Sequence, residues 1–248
     1  MMEVLFWVGC AAAYDLRLQA IARAFSDIMN KANVDYAILG TKERCTGDVA
    51  RRMGDENLFQ ELAQHNIKTL NEHEVKSIVT TCPHCFNMFK NEYPALGGDF
   101  EVTHYTTFIY NLIRDGRLKI PEKQEREIVT YHDPCYLGRQ NGIFEAPRDI
   151  LEMLGYQIVE MERSKETSFC CGAGGGAMFE TTQRGEKINS IRGEEAVKTG
   201  ACTTMTACPF CLVMMEEAIG SLNQTSGSNV ATRDIAEVVN SLVESGRK

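Results

Sequence analysis

No stretch of this 248-residue chain is apolar for the length a helix needs to cross a bilayer. The opening run from Val4 to Val8 is short, lacks a basic leader and ends at Gly9-Cys10 instead of a small-residue cleavage site, so no secretory signal is read there. Positive charge is not in excess. The chain carries 26 Lys and Arg against 34 Asp and Glu, a formal net charge of -8, which argues against nucleic acid or an anionic membrane surface as the main partner. The acidity is spread along the chain and reads as solubility. There is no Cys-x2-Cys-x2-Cys-x3-Cys run of ferredoxin type and no convincing flavin site. The glycines from Gly172 to Gly176 follow a cysteine pair with no acidic ribose partner in place, so they fit a dinucleotide fingerprint poorly.

What the chain does have is cysteine. Ten of them are too many for incidental core positions, and the chain is too long for a small disulfide-stapled domain. A reducing, cytoplasmic setting follows as the expectation, and there clustered cysteines mean metal or redox chemistry. The central feature is Phe169-Cys170-Cys171-Gly172-Ala173-Gly174-Gly175-Gly176. Adjacent cysteines seldom pair with each other, because the bridge strains the peptide between them. They are better placed to hold neighbouring metal atoms, and glycines let the backbone approach a bulky inorganic ligand and donate N–H groups to its sulfurs.

Apolar patterning divides the chain into alternating strands and helices. Val4 to Val8 reads as a buried strand leading to Cys10, followed by a helix from Leu16 to Ala32 with Leu18, Ile21, Ala22, Phe25, Ile28 and Met29 on one stripe. Tyr36 to Leu39 is a second strand before Cys45. One helix is expected from Asp48 to Asn71, burying Leu58, Phe59, Leu62 and Ile67. Ser77 to Thr81 leads to Cys82-Pro83-His84-Cys85, and a helix from Thr106 to Asp115 closes the half. The second half repeats the order. Strand Ile128 to Tyr131 leads to Cys135, helix Ala146 to Leu154 to strand Gln157 to Met161, and the cysteine pair precedes a helix from Met178 to Thr199. Strand Thr203 to Ala207 delivers Cys208-Pro209-Phe210-Cys211, and two helices end the chain.

The intervals make the repeat quantitative. Cys10 to Cys45 spans 35 positions and Cys135 to Cys171 spans 36, while Cys45 to Cys82 and Cys171 to Cys208 both span 37. The closing segments, Val102 to Arg117 and Val230 to Arg247, also correspond. The expected fold is α/β, with two tandem repeats, each a small parallel sheet flanked by helices. Residues 1–120 form the first repeat and residues 128–248 the second, joined by a charged linker over 119–127. Parallel strands with right-handed crossovers bring the cysteines to the carboxyl ends of the strands.

In the second half Cys135, Cys170, Cys171, Cys208 and Cys211 form a set of five. A closed zinc site and a cubane cluster each use four ligands, so five thiolates suit a larger or more open iron–sulfur assembly. The pattern Cys-x34-Cys-Cys-Gly-x35-Cys-x2-Cys resembles the CCG cysteine-rich domain, over the whole chain as two tandem copies. That family includes the heterodisulfide reductase B subunit and iron–sulfur subunits of glycerol-3-phosphate, lactate and glycolate oxidising complexes. The resemblance implies a noncubane [4Fe-4S] cluster held by those five cysteines. In the first half Arg44 stands where Cys170 does, and only Cys10, Cys45, Cys82 and Cys85 remain. Those four thiolates suit zinc or a second iron–sulfur cluster, or a decayed site that packs as apolar thiols. The phrase Cys45-Thr46-Gly47-Asp48-Val49-Ala50-Arg51-Arg52 is similar to CCG pairs that follow a ferredoxin-type domain in electron-transfer-flavoprotein:quinone oxidoreductases.

The expected function is therefore an oxidoreductase subunit that relays electrons within a larger flavin and iron–sulfur complex. Its expected partners are ferredoxin-type, flavoprotein and membrane quinone-reacting subunits, and any membrane association runs through them. A heterodisulfide-reductase-like reductase of a disulfide or thiol substrate is the alternative, and a zinc-stabilised interaction scaffold the alternative of another class. Cys82-Pro83-His84-Cys85 is also a thiol-oxidase tetrapeptide, but its match to Cys208-Pro209-Phe210-Cys211 in the repeat weakens that reading. His84 and His132 lie near cysteines and are candidates for tuning a cluster or passing a proton, against an ordinary hydrogen-bonded role. Cys202 is expected in the core, and Met205, Met214 and Met215 read as packing.

Overall fold

The computed structural model describes residues 2–120, 127–179 and 185–243. Most of the linker and the end of the second closing segment lie outside them. In the first half the order is β1 (Val4–Trp7), α1 (Cys10–Tyr14), α2 (Leu16–Lys31), β2 (Tyr36–Ala37), α3 (Asp48–Arg52), α4 (Glu56–Glu72), β3 (Ser77–Thr80), α5 (Pro83–Asn87), β4 (Glu101–His104) and α6 (Tyr105–Arg114). The second half runs β5 (Ile128–His132), α7 (Glu145–Met153), β6 (Gln157–Ile158), α8 (Ile188–Lys198), β7 (Thr203–Thr206), α9 (Pro209–Ser226), β8 (Ala231–Asp234) and α10 (Ile235–Leu242).

Two parallel sheets result, ordered β2-β1-β3-β4 and β6-β5-β7-β8. All four β1 side chains are buried, as a strand covered on both faces requires. The crossover direction reverses between β1 and β3, and again between β5 and β7. That switch opens a crevice at the carboxyl ends of those strands. Cys10 and Cys82 leave the first sheet there, and Cys135 and Cys208 the second.

The sequence-based expectations err in identifiable places. The helix expected over Asp48 to Asn71 is two helices, broken where Gly54 takes φ +91° and Asp55 caps the Leu58 N–H of α4. The break also turns Leu58 outward, leaving it exposed, while Phe59 and Ile67 stay buried. The helix expected from Met178 begins at Ile188; before it, Gly174 to Phe179 turns tightly through positive φ at Gly175 and Gly176. Both sheets carry a fourth strand that apolar patterning does not reveal. Cys202 is exposed rather than core. It lies at the amino end of β7, outside the sheet's covered middle, where its thiol reaches the Ile128 carbonyl at 3.2 Å.

The halves share core packing. One apolar cluster runs from Val4, Phe6, Phe25 and Ile28 to Val129, Tyr131, Ile150 and Val239, and a second joins Leu5, Trp7 and Phe89 to Cys208 and Phe210. Helix α2 packs on α10, and α7 packs on α6, which are equivalent pairs under the repeat. Arg17 on α2 clasps Glu237 of α10 at 2.7 and 2.9 Å and Glu216 of α9 at 2.7 Å.

Asp234 caps α10 within the same junction. One carboxyl oxygen accepts from the Ala236 N–H and from the Tyr105 hydroxyl of the other half, at 2.8 and 2.7 Å, while the second is buried without a partner. Burial pushes the group up to about 8, against those two bonds. In the unfolded chain an aspartate titrates near 3.9, so the folded state holds the extra proton between the two values. The stability this group contributes is full below about pH 4 and falls as pH rises towards 8. Asp234→Asn is expected to remove that part of the decline and to be the more stable form at pH 8. Urea midpoints measured at pH 5 and pH 8 check this; an equal decline in both proteins would refute it.

Candidate metal centre

Each cysteine set is assembled from strand ends and helix starts. In the first half Cys10 opens α1 after Gly9, whose φ of +81° turns the chain sharply out of β1. Cys82 precedes α5, with Pro83 in its first turn, where a missing N–H costs no hydrogen bond. Cys45 sits in the loop before α3, its sulfur 3.7 Å from that of Cys10 and 3.4 Å from the Gly47 nitrogen. Cys85 completes the set, with the Thr46 hydroxyl 3.7 Å from its sulfur. These four cysteines line one small cavity, closed on one side by Pro209 and Phe210 of the second half.

The second set is denser. Cys135 follows β5, Cys208 precedes α9 with Pro209 in its first turn, and Cys211 lies one helical turn on. The pair Cys170-Cys171 approaches from the loop after β6. The sulfurs of Cys171 and Cys211 are 3.3 Å apart, and the Gly172 N–H reaches the Cys170 sulfur at 3.3 Å. Cys135 bonds to Cys170, Cys170 to Cys171, and Cys211 to Cys208, so all five thiols form one connected set. Contacts from the Cys135 and Cys171 thiols hold Cys170 well below the usual thiol range. Burial works to raise Cys208, yet bonds from Cys211 and His84 bring it down to about 5. Thiolate character is what a metal ligand needs.

Two of the glycines also have a packing role. Gly172 takes φ +87°, and a Cβ there would lie 3.1 Å from Ile188; one on Gly176 would meet Met53, just past the end of α3, at 2.7 Å. Their lack of side chains serves close packing of the turn against the protein, including across the two halves. The Gly172 N–H donates to the Cys170 sulfur, as expected of a glycine in this run.

His84, a candidate from the sequence, joins the two sets through partners that the sequence did not reveal. Its Nδ1 lies 2.7 Å from Asp48, its ring stacks on Tyr136 at 4.2 Å, and its side chain bonds to Cys208 of the other half. Arg52 carries the junction outward, bonding the Tyr136 hydroxyl at 2.8 Å and Glu92 at 2.6 Å. Behind the second set, buried Arg148 grips Asp133 and Glu160, and fully buried Arg192 reaches His132. Arg148 and Arg192 carry no motif signal, because their partners are brought near only by the fold, whereas Arg52 ends the phrase from Cys45 to Arg52 that the sequence singled out. Arg44, standing where Cys170 does, lines an open cavity of about 660 Å³ that reaches Cys10 and Cys45. The first set is therefore open on that side.

All ten cysteines are free thiols. Five connected sulfurs, with a ring nitrogen of His132 close to those of Cys171 and Cys211, form a thiol set that fits an iron–sulfur group. Residues 4–90 and 129–216 each match the model of the family described as CCG, cysteine-rich domain. The chain belongs to this family, in two copies.

Among curated relatives, this CCG protein is 45% identical over 238 residues to a probable iron-sulfur-binding oxidoreductase, FadF, from Bacillus subtilis, covering 96% of this chain and 33% of that one. It is 39% identical over 244 residues to an EtfAB:quinone oxidoreductase from Syntrophomonas wolfei, covering 96% and 34%. It is also 36% identical over 244 residues to a component of the dihydromethanophenazine:CoB--CoM heterodisulfide reductase from Methanosarcina barkeri, covering 96% and 58%. The CCG pair thus spans about a third of the first two and rather more than half of the third. Among solved structures, an aspartate racemase homologue from Pyrococcus horikoshii aligns at 12% identity with a TM-score of 0.39, covering 97% of this chain and 96% of that one. No helix among the described residues is long and apolar enough to cross a membrane.

Proposed function

We propose that this CCG pair is an iron–sulfur redox subunit, carrying electrons within a larger flavin and iron–sulfur oxidoreductase. In this reading residues 1–120 and 128–248 are its two repeats. Cys135, Cys170, Cys171, Cys208 and Cys211 hold a noncubane [4Fe-4S] cluster; Cys10, Cys45, Cys82 and Cys85 hold zinc or a second cluster. The observation that carries the reading is the connected set of five thiols at the carboxyl edge of the second sheet, one more than a closed zinc site takes. The bound cluster supplies one-electron uptake and release. The protein's own part is to hold the thiols together with Cys170 and Cys208 favoured as thiolates, to brace them through the Asp133 and Arg192 networks, and to leave Cys135 and Cys170 half-exposed as the near edge for exchange.

The names of two relatives, an EtfAB:quinone oxidoreductase and a probable membrane-anchored ferredoxin, support partners of the expected kind, flavoprotein, ferredoxin-type and quinone-reacting components; in this reading the subunit is cytoplasmic and meets the membrane through them. A second reading, reduction of a disulfide or thiol substrate, draws on one observation, the open cavity of about 660 Å³ beside Cys10 and Cys45. The two part on a simple assay. Anaerobically purified protein is expected to be brown, with about four irons at the five-cysteine site, and to need an added redox partner for turnover. A folded, colourless, iron-free and zinc-loaded protein would sink both readings; rapid partner-free reduction of a small disulfide would put the second ahead.

A further inference from the structure

His132 ends β5, three residues before Cys135, and is 1% exposed. Its Nδ1 lies 3.0 Å from Nε of Arg192, which is itself fully buried. A guanidinium only donates. Nδ1 is therefore the acceptor and carries no proton, and the proton of the neutral ring sits on Nε2. Arg192 is fixed in turn, through Nη1 to Glu195 at 2.6 Å and to the Arg163 carbonyl at 2.8 Å, and through Nη2 to Ser168 at 3.2 Å. The imidazole has no freedom to exchange tautomers while that clamp holds.

The Nε2–H so defined is buried and has no hydrogen-bond partner among the described residues. A ring nitrogen of His132 and the sulfurs of Cys171 and Cys211 all lie within 4.8 Å of one another. With Nδ1 taken by Arg192, Nε2 is the ring nitrogen left to meet those sulfurs. We propose that Arg192 locks His132 as the Nε2–H tautomer so that the imidazole donates a hydrogen bond to sulfur at the five-cysteine site, a cysteine thiolate or a bridging sulfide, and is not itself an iron ligand. An imidazole that coordinated through Nε2 would have to carry its proton on Nδ1, where Arg192 already points a donor.

The first half supplies an independent check. Trp7 occupies the equivalent place, three residues before Cys10 at the end of β1. Its indole N–H is also buried without a partner. Indole donates and never coordinates through that nitrogen, so this position presents an N–H in both repeats while the ring that carries it changes. A metal-ligand role at His132 would have no counterpart; a donor role does.

This assignment rests on the cluster reading above, and its test separates the two. A hydrogen bond to a cluster sulfur stabilises the more negative, reduced state and raises the potential. His132 is thus a positioning residue that tunes the cluster, and Arg192 acts through it. In anaerobically purified full-length protein, His132→Leu is expected to keep its iron but shift the cluster midpoint to more negative potential, with His132→Gln, which retains a donor, nearer the parent. On the unaltered protein, electron–nuclear double resonance should show an exchangeable proton coupled to the cluster and, with ¹⁵N-histidine, only a weak nitrogen coupling. Strong directly bonded nitrogen coupling would overturn the proposal, as would an unchanged potential in His132→Leu or the absence of the exchangeable proton. The double-resonance measurement decides the matter even if a variant fails to fold. An iron-free parent protein would instead overturn the cluster reading itself.

Discussion

Cys171→Ser is expected to leave the chain folded and to strip the five-cysteine site of its iron, about four atoms per chain, together with that site's visible absorption and paramagnetic signal. Cys171 is buried, and its sulfur sits in contact with that of Cys211 and next to Cys170. A serine hydroxyl fits the space but is a hard donor that stays protonated, a poor exchange for thiolate towards iron. The same change discriminates between metals. Removing one of five thiols leaves four, which is all that a closed zinc site takes, so a zinc-loaded protein would keep its metal while an iron–sulfur protein would lose it. Two controls frame the result. Cys45→Ser should affect only the metal of the first half, and Cys202→Ser should change nothing, because Cys202 is exposed at the opposite end of β7 from Cys208. Metal analysis with electron paramagnetic resonance on the three variants suffices. Full iron and an unchanged signal in Cys171→Ser would remove the pair from the ligand set.

The positions of these cysteines were legible in the sequence because covalent spacing decides where strand ends emerge. Equal intervals between Cys45 and Cys82 and between Cys171 and Cys208 point to equal units of crossover helix and strand, and parallel topology sends the strand ends to one edge. β4 and β8 were not legible as strands. Their sequences, Glu101-Val102-Thr103-His104 and Ala231-Thr232-Arg233-Asp234, have no apolar run, since an outer strand buries only part of its surface. The split between α3 and α4 turned on a single glycine, Gly54, inside an otherwise helical pattern. The link from His84 to Cys208 was out of reach for another reason. Residues 124 positions apart meet only because α3 and the α5 turn of one half face the mouth of the other. Periodicity within each half carries no information about that meeting.

The arginine behind the cysteine-pair loop gives the second large expected effect. Arg148→Met is expected to destabilise the metal-free protein by about 3–5 kcal/mol, the cost of stranding a buried charge. Arg148 is 5% exposed and makes paired bonds to Asp133 at 2.7 and 2.9 Å and to Glu160 at 2.6 and 2.9 Å. Asp133 is 3% exposed and also accepts the Lys165 N–H at 2.8 Å, while its carbonyl receives the Ser168 hydroxyl at 3.3 Å. One arginine thus ties the end of β5, which delivers Cys135, to the loop that delivers Cys170 and Cys171. Methionine fills much of the same volume, so packing is largely kept and the lost charge dominates. Against a domain stability of roughly 5–15 kcal/mol, the loss is large enough to lower the yield of metal-loaded protein as well. Adding Asp133→Asn to Arg148→Met removes the stranded carboxylate and should recover part of the loss, whereas Asp133→Asn alone leaves Arg148 paired with the half-exposed Glu160. Urea midpoints of the parent, both single variants and the double variant measure the coupling directly. An Arg148→Met midpoint within 1 kcal/mol of the parent, or no recovery in the double variant, would show that this buried pair does not brace the cysteine loop.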